Sequence, residues 1–250
     1  MNPQTRIRYH FHAEGHALGG EFRHPSWIPI QAQAATSLPT IGGHSTAHAE
    51  DFHVQDFVSF KRAHTHVSGK RRRSDGGDTY VTHATTTIED LNILGVVTAA
   101  RIVCRLSSVH SPKSPEGHII ADDSRFEGLR IKGQDVKVTL RHNLLVDCET
   151  FDDLVTKGIA NDTKKGKIAF IDRKQEVAIC SLVEEIETKL KGVDVRRHLI
   201  EVPDFGKIFL AEVFTDPGTR TLTMLRLELG SPHVADVTAG ETRINGFPYP

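Results

Sequence analysis

The chain has 250 residues, 38 % of them hydrophobic and 25 % charged, a balance that supports a packed core and argues against global disorder. Lys and Arg number 31 against 32 for Asp and Glu, a formal net charge of -1. Such a balance supplies little long-range field for nucleic acid or anionic lipid, and little repulsion between copies.

Cys104, Cys148 and Cys180 are odd in number and form no Cys-x-x-Cys pair, which argues against a disulfide framework or a zinc ladder. Cys104 in "RIVCRL" and Cys180 in "VAICSLV" read as small buried hydrophobes. The first residues, "MNPQTRIRYHFH", hold no apolar leader, and no stretch reaches membrane-spanning length. No membrane insertion is expected and the default location is cytoplasmic, with export by a route lacking a cleavable signal left open.

Taken in chain order, period-2 patterns dominate. In "TRIRYHFHAE", Ile7, Tyr9, Phe11 and Ala13 alternate with Arg8, His10, His12 and Glu14, which predicts a half-buried strand. Gly15, Gly19 and Gly20 then read as its end. Residues 15–50 are rich in Gly, Pro, Ala, Ser and Thr and read as a long irregular arm, with one short extended piece around Trp27 to Ile30. Strands resume with "FHVQDFVSF" and "RAHTHVSG". The run "GKRRRSDGGD" reads as a basic hairpin loop, and "TYVTHATTTI" as a β-branched strand. "GVVTAARIVCRLSS" is apolar on both faces, as in the middle of a sheet.

"IEDLNILG" at 88–95 and "FEGLRIKG" at 126–133 share one pattern, 38 residues apart, and each precedes another strand. They suggest a duplicated strand–turn–strand unit with Gly95 and Gly133 in the turns. A short helix is expected at "TFDDLVTKG", with Thr150 as cap, Asp153 completing a capping box and Gly158 as stop. "EVAICSLVEEIETKLKG" reads as strand then helix, because Leu182, Ile186 and Leu190 sit at helical spacing before Gly192. Residues 149–192 are thus a partly helical insertion. The last third returns to strands, with "DPG" between two alternating runs as a hairpin signal. The expected architecture is mainly β: one large antiparallel β-barrel or β-sandwich over residues 1–250, with one or two short helices and the long Gly/Pro-rich N-terminal arm.

Fifteen histidines are present, ten of them before residue 84. A His-x-His pair on a strand points both rings to one face, so His10/His12 and His64/His66 can each chelate one ion. If those strands were neighbours, four nitrogens would converge with Glu14 as an oxygen ligand, a set suited to a transition metal such as zinc. The competing readings are a polar face turned to water and a pH-sensing cluster. Lys70, Arg71, Arg72 and Arg73 are a weaker candidate for assembly or phosphate contact; with no interleaved aromatics and Asp75 and Asp78 close by, nucleic acid is not the expected partner.

Standard enzyme signatures, among them Gly-x-Ser-x-Gly, a P-loop, a dinucleotide turn and His-Glu-x-x-His, are absent. The leading expectation is therefore a non-enzymatic structural or interaction protein that associates with itself through the β-rich domain and arm. The alternatives are a metal-binding β-barrel or metalloenzyme, and a ligand- or glycan-binding sandwich with Trp27, Tyr80 or Tyr249 as stacking platforms.

Overall fold

A computed structural model describes residues 9–74, 77–111, 117–148, 150–159, 170–216 and 218–245. The first strands are β1 (Ala13–Phe22), β2 (Ile28–Gln33) and β3 (Thr36–Ser37). Long antiparallel strands follow as β4 (Gly43–Val54), β5 (Val58–Ser74), β6 (Gly77–Ile93) and β7 (Val97–His110). Shorter pieces are β8 (His118–Ile120), β9 (Arg125–Glu127), β10 (Arg130–Ile131) and β11 (Gln134–Leu140). Two short helices, α1 (Leu144–Asp147) and α2 (Phe151–Asp153), precede β12 (Phe170–Asp172), β13 (Val177–Ser181) and β14 (Val183–Thr188). The chain returns through β15 (Asp194–Arg196), β16 (Leu199–Val202), β17 (Gly206–Asp216), β18 (Thr219–Leu229) and β19 (Ala235–Asn245).

These strands form two antiparallel sheets. One runs β12-β13-β17-β18-β19-β1-β2, the other β14-β11-β10-β7-β6-β5-β4. Strands β1, β18 and β19 lie across β5, β6 and β7, so the architecture is sandwich-like and neither sheet closes into a barrel. Between them Leu18, Phe22, Leu227 and Val237 from one sheet and Ile88, Ile102 and Leu106 from the other are fully buried. Each such side chain contributes about 1.5–3 kcal/mol by leaving water. Cys104 is part of this layer: its Sγ–H reaches the Leu222 carbonyl on the facing sheet at 3.3 Å, and burial pushes the thiol up to about 12. It is an inert core residue.

Two expectations are corrected. Residues 15–50 are not an irregular arm: the first strand, expected to end near Glu14, instead runs from Ala13 to Phe22, with residues 9–12 outside it, and β2, β3 and β4 follow. The small residues that suggested an arm have a packing role instead. A Cβ on Gly15 would stand 2.9 Å from the Thr86 hydroxyl and 3.1 Å from Thr65 Cγ2, so the glycine allows the two sheets to approach closely. The second correction concerns 183–188, which is strand β14 rather than helix. It pairs with β11, placing Ile186 opposite Val138, and this pairing overrides the helical spacing of Leu182, Ile186 and Leu190. Helix α2 does occur where the capping box placed it. Thr150 Oγ1 accepts the Asp153 amide at 3.0 Å, and one wider helical turn follows over Leu154–Ile159.

Both sheets carry a row of residues at which the in–out alternation loses its phase. In the first sheet the registers align Ala34, Ala17, Gly240, Met224 and Ala211 on neighbouring strands. In the second they align Asp51, Lys61, Asp90, Ala100 and Gly128. On every second strand the residue in the row is left-handed: Ala34, Gly240 and Ala211 at φ 49°, 68° and 48°, and Asp51, Asp90 and Gly128 at 47°, 54° and 61°. Such a residue inserts a bulge-like step into the ladder. In β1 it leaves Ala17 and Leu18 buried in succession.

The duplicated pattern is explained by this row. Asp90 and Gly128 occupy the same place in the two copies, on β6 and beside β9, the strands that flank β7. Each copy ends in a two-residue turn with both φ positive, Leu94–Gly95 and Lys132–Gly133. The structure adds a third copy, "AEDFHVQD" at 49–56, with Asp51 and Gln55 left-handed in the corresponding positions. The glutamates of the three copies share one rung with two arginines. Across five strands it reads Glu50, Arg62, Glu89, Arg101, Glu127.

Candidate interaction surfaces

Ala13 and Gly15 of β1 face the other sheet, so His12, Glu14 and His16 project from the outer face of the first sheet, and His10, just before β1, is exposed. There Glu14 lies 3.9 Å from His12 and 3.7 Å from Arg243, while His16 lies 3.9 Å from Glu241. The Thr223 hydroxyl donates to Glu241 at 2.9 Å. Glu14, His16, Thr36, Ser37, Glu241 and Arg243 line a shallow cleft of about 290 Å³. Glu14 faces the Arg243 guanidinium and Glu241 faces His16 and the Thr223 hydroxyl, so the cleft is a polar surface with its acids partnered.

On β5 the residues facing the core are Thr65, Val67 and Gly69, all buried. His64 and His66 therefore project from the outer face of the second sheet. The two His-x-His pairs sit on opposite outer faces of the sandwich, separated by both sheets. They do not converge, and Glu14 stays with the first pair. Among the described residues no group of three or more His, Cys, Asp or Glu side chains is placed to hold a metal ion.

What the structure does bring to His64 and His66 is a set of other histidines. The registers place His48 directly opposite His64, Thr46 and Thr85 on either side of His66, and Ser68 between His44 and His83. Burial, then the neighbouring His64 and His44, hold His66 below the usual histidine value. Burial and the cations Arg105, Lys70 and Arg72 do the same for His83, whose Nδ1 meets the Ser107 hydroxyl at 2.8 Å. The signal for this in the sequence is alternation: His44 and His48 lie four residues apart on one strand and so share a face, and His83 adjoins the core-facing Ala84 and so points outward. The pairing that collects them is not visible in a single sequence.

The basic run is not a loop. β5 extends through Arg73 to Ser74, and β6 resumes at Gly77. Alternation divides the run between the faces. Arg71 forms an ion pair with Asp78, with Arg73 at 3.9 Å from the same carboxylate, while Lys70 and Arg72 lie on the outer face with the histidines. Of the aromatic platforms, Trp27 is exposed and donates to Glu21 at 3.1 Å. Tyr80 is stacked on Tyr9 at 4.2 Å, and Tyr249 lies outside the described residues.

A buried ionic group escaped the sequence reading because its members are far apart in the chain. His198 Nε2 lies 3.3 Å from Glu212 Oε1, and Arg226 grips both Glu212 oxygens at 2.6 and 3.2 Å. The same guanidinium sits 3.8 Å above the centre of the Phe209 ring. Burial pushes the Glu212 carboxyl up, but His198 and Arg226 outweigh it and hold the group below the usual carboxylate value. The arrangement fixes the β15–β16 hairpin onto β17 and β18.

Fold and surfaces together define an antiparallel β-sandwich with phase-shifted strands and polar outer faces. The chain belongs to the family described as a domain of unknown function (DUF8256), whose model matches residues 9–157 and 154–216. No curated protein and no solved structure matches it. No helix among the described residues is long and apolar enough to cross a membrane.

Proposed function

We propose that this chain is a structural protein that associates with copies of itself through the free edge of β4. The observation that supports this is the contrast among the strands ending the two sheets. β12 is three residues long, β2 contains Pro29, and β14 carries Glu184, Glu185 and Glu187. Short length, proline and charge each discourage pairing at a sheet edge. β4 runs for twelve residues with neither proline nor lysine, none of its residues is buried, and it ends its sheet. Its acids and left-handed step are confined to Glu50 and Asp51, which leaves residues 43–49 as an unbroken edge. A second β4, laid antiparallel, would satisfy its outward amides and carbonyls by adding strand to strand. A formal net charge of -1 offers little opposition.

Light scattering across a wide concentration range tests the reading. Self-association gives a mass that rises above 27.7 kDa toward twice that value or more. Successive residues of a strand direct their N–H groups to opposite sides, so of Thr46→Pro and Ala47→Pro one removes an edge donor and the other a donor to β5. A folded monomer from one of the two supports the reading. A wild-type chain that stays at 27.7 kDa throughout contradicts it.

A further inference from the structure

On the outer face of the second sheet, the rungs between Arg72 and His64 hold cations and latent cations and, among the described residues, no acid; Glu50 and Glu89 border them, sharing a cleft with His48 and His64 at one end. On successive rungs β4 contributes His44 and His48, β5 contributes His64, His66, Lys70 and Arg72, and β6 contributes His83. The remaining outward positions there are Thr46, Ser68, Thr79, Val81, Thr85 and Thr87. The nearest charged groups are on the margins. Glu50, Arg62 and Glu89 form the rung below, with Arg62 ion-paired to Glu89 at 2.8 Å. On the β7 side Arg105 is paired with Asp123 at 2.7 Å, and His118 of β8 lies opposite Val109. Neither Lys70 nor Arg72 forms an ion pair among the described residues.

We propose that this face of β4, β5 and β6 binds a linear, phosphate-rich polyanion at mildly acidic pH, held by His44, His48, His64, His66 and His83 together with Lys70 and Arg72.

The shape and chemistry of the patch select that ligand class. Strands about 4.8 Å apart, with outward residues repeating about every 6.8 Å, spread the seven groups over a flat strip. Such a strip matches a ligand with charge repeated along its length better than a single compact anion. No aromatic side chain shares these rungs, so bases have no stacking platform and charge alone is read. The histidines supply the pH dependence. Crowding by burial and by neighbouring cations disfavours the protonated form of His66 and His83 in the free protein. A bound polyanion relieves that repulsion, so binding takes up protons and strengthens as pH falls. The proposal is independent of pairing at the β4 edge.

The test is titration of the full chain with inorganic polyphosphate, followed by calorimetry at about pH 5.5 and about pH 7.5, the two sides of the ordinary histidine value. Affinity should be at least about tenfold higher at the lower pH and should fall with salt. His64→Gln/His66→Gln should flatten the pH dependence, and Lys70→Gln/Arg72→Gln should lower the salt slope by about two. Circular dichroism should be unchanged, since all four positions are outward-facing. Absent binding at the lower pH, equal binding at both, or wild-type behaviour from both folded variants overturns the proposal. A strong preference for single-stranded DNA over polyphosphate of equal charge also overturns it, because bases would then be read.

Discussion

Gly15 and Thr65 meet across the two sheets, with room for no more than a hydrogen on the glycine: a Cβ there would stand 3.1 Å from the threonine Cγ2 and 2.9 Å from the Glu241 carbonyl oxygen. That contact decides where the histidines go. Residues flanking Gly15 point out of one sheet and residues flanking Thr65 point out of the other. Because a backbone oxygen cannot move aside cheaply, Gly15→Val should lose about 1–3 kcal/mol by overpacking. Equilibrium urea unfolding checks it; a variant as stable as the parent would show that the sheets are not in contact here.

His110 lies between the sheets, 1 % exposed, with its ring tilted against Tyr9. Burial drives its value down from 6.5 to about 4, so the folded protein keeps the ring neutral where the unfolded chain takes up a proton. Between about pH 6.5 and 4 the unfolded state therefore binds more protons and stability falls as pH falls, by about 3 kcal/mol over the window. His110→Phe should remove most of that fall. Unfolding free energies of parent and variant at several pH values in this range provide the check, and parallel curves would contradict it.

Glu212 holds Arg226 and His198 at the margin of the core. Glu212→Gln should cost about 2–4 kcal/mol, because the Arg226 guanidinium loses the carboxylate that compensates it. Glu212→Gln/Arg226→Met should lose less than the sum of the two single changes. A double-mutant cycle measured by thermal or chemical unfolding decides, and strict additivity would mean that the three side chains do not act together.

The phase-shift rows can be tested at Asp90, which adopts φ 54° where the matching copy has Gly128 at 61°. Asp90→Gly should be neutral or stabilising by up to about 1 kcal/mol, since glycine accepts that conformation without strain. Asp90→Val should destabilise by more than about 1 kcal/mol. Melting temperatures of the two variants should therefore move apart, and a shared direction of change would exclude a left-handed requirement.

Much of the second sheet was legible because its long strands obey simple alternation on either side of the phase-shift row. β7 buries Ile102, Cys104 and Leu106 against the facing sheet, while its outer face is mixed, with Val103 buried beside Arg101, Arg105 and Ser107. The first sheet was harder. At "HALGG" the phase shift at Ala17 places two buried residues in succession, and the glycines that accommodate sheet contact look like the punctuation of a loop. The same step at Asp51 and Gln55 hid the third copy of the repeat, which lacks the closing glycine of the other two. For the histidines, alternation gave the face each one shares with its strand neighbours. It could not give the pairing of β4 with β5 that sets His48 opposite His64, nor reveal that His12 and His66 leave the molecule in opposite directions. Those facts depend on contacts between residues distant in sequence.

The most direct test of self-pairing is hydrogen exchange at the β4 amides as a function of protein concentration. Amides facing β5 should be protected at every concentration. Those on the free side, between Gly43 and Val54, should exchange quickly in dilute solution and become protected as concentration rises. Protection of both sets independent of concentration, or fast exchange of the free side at all concentrations, would contradict pairing through this edge.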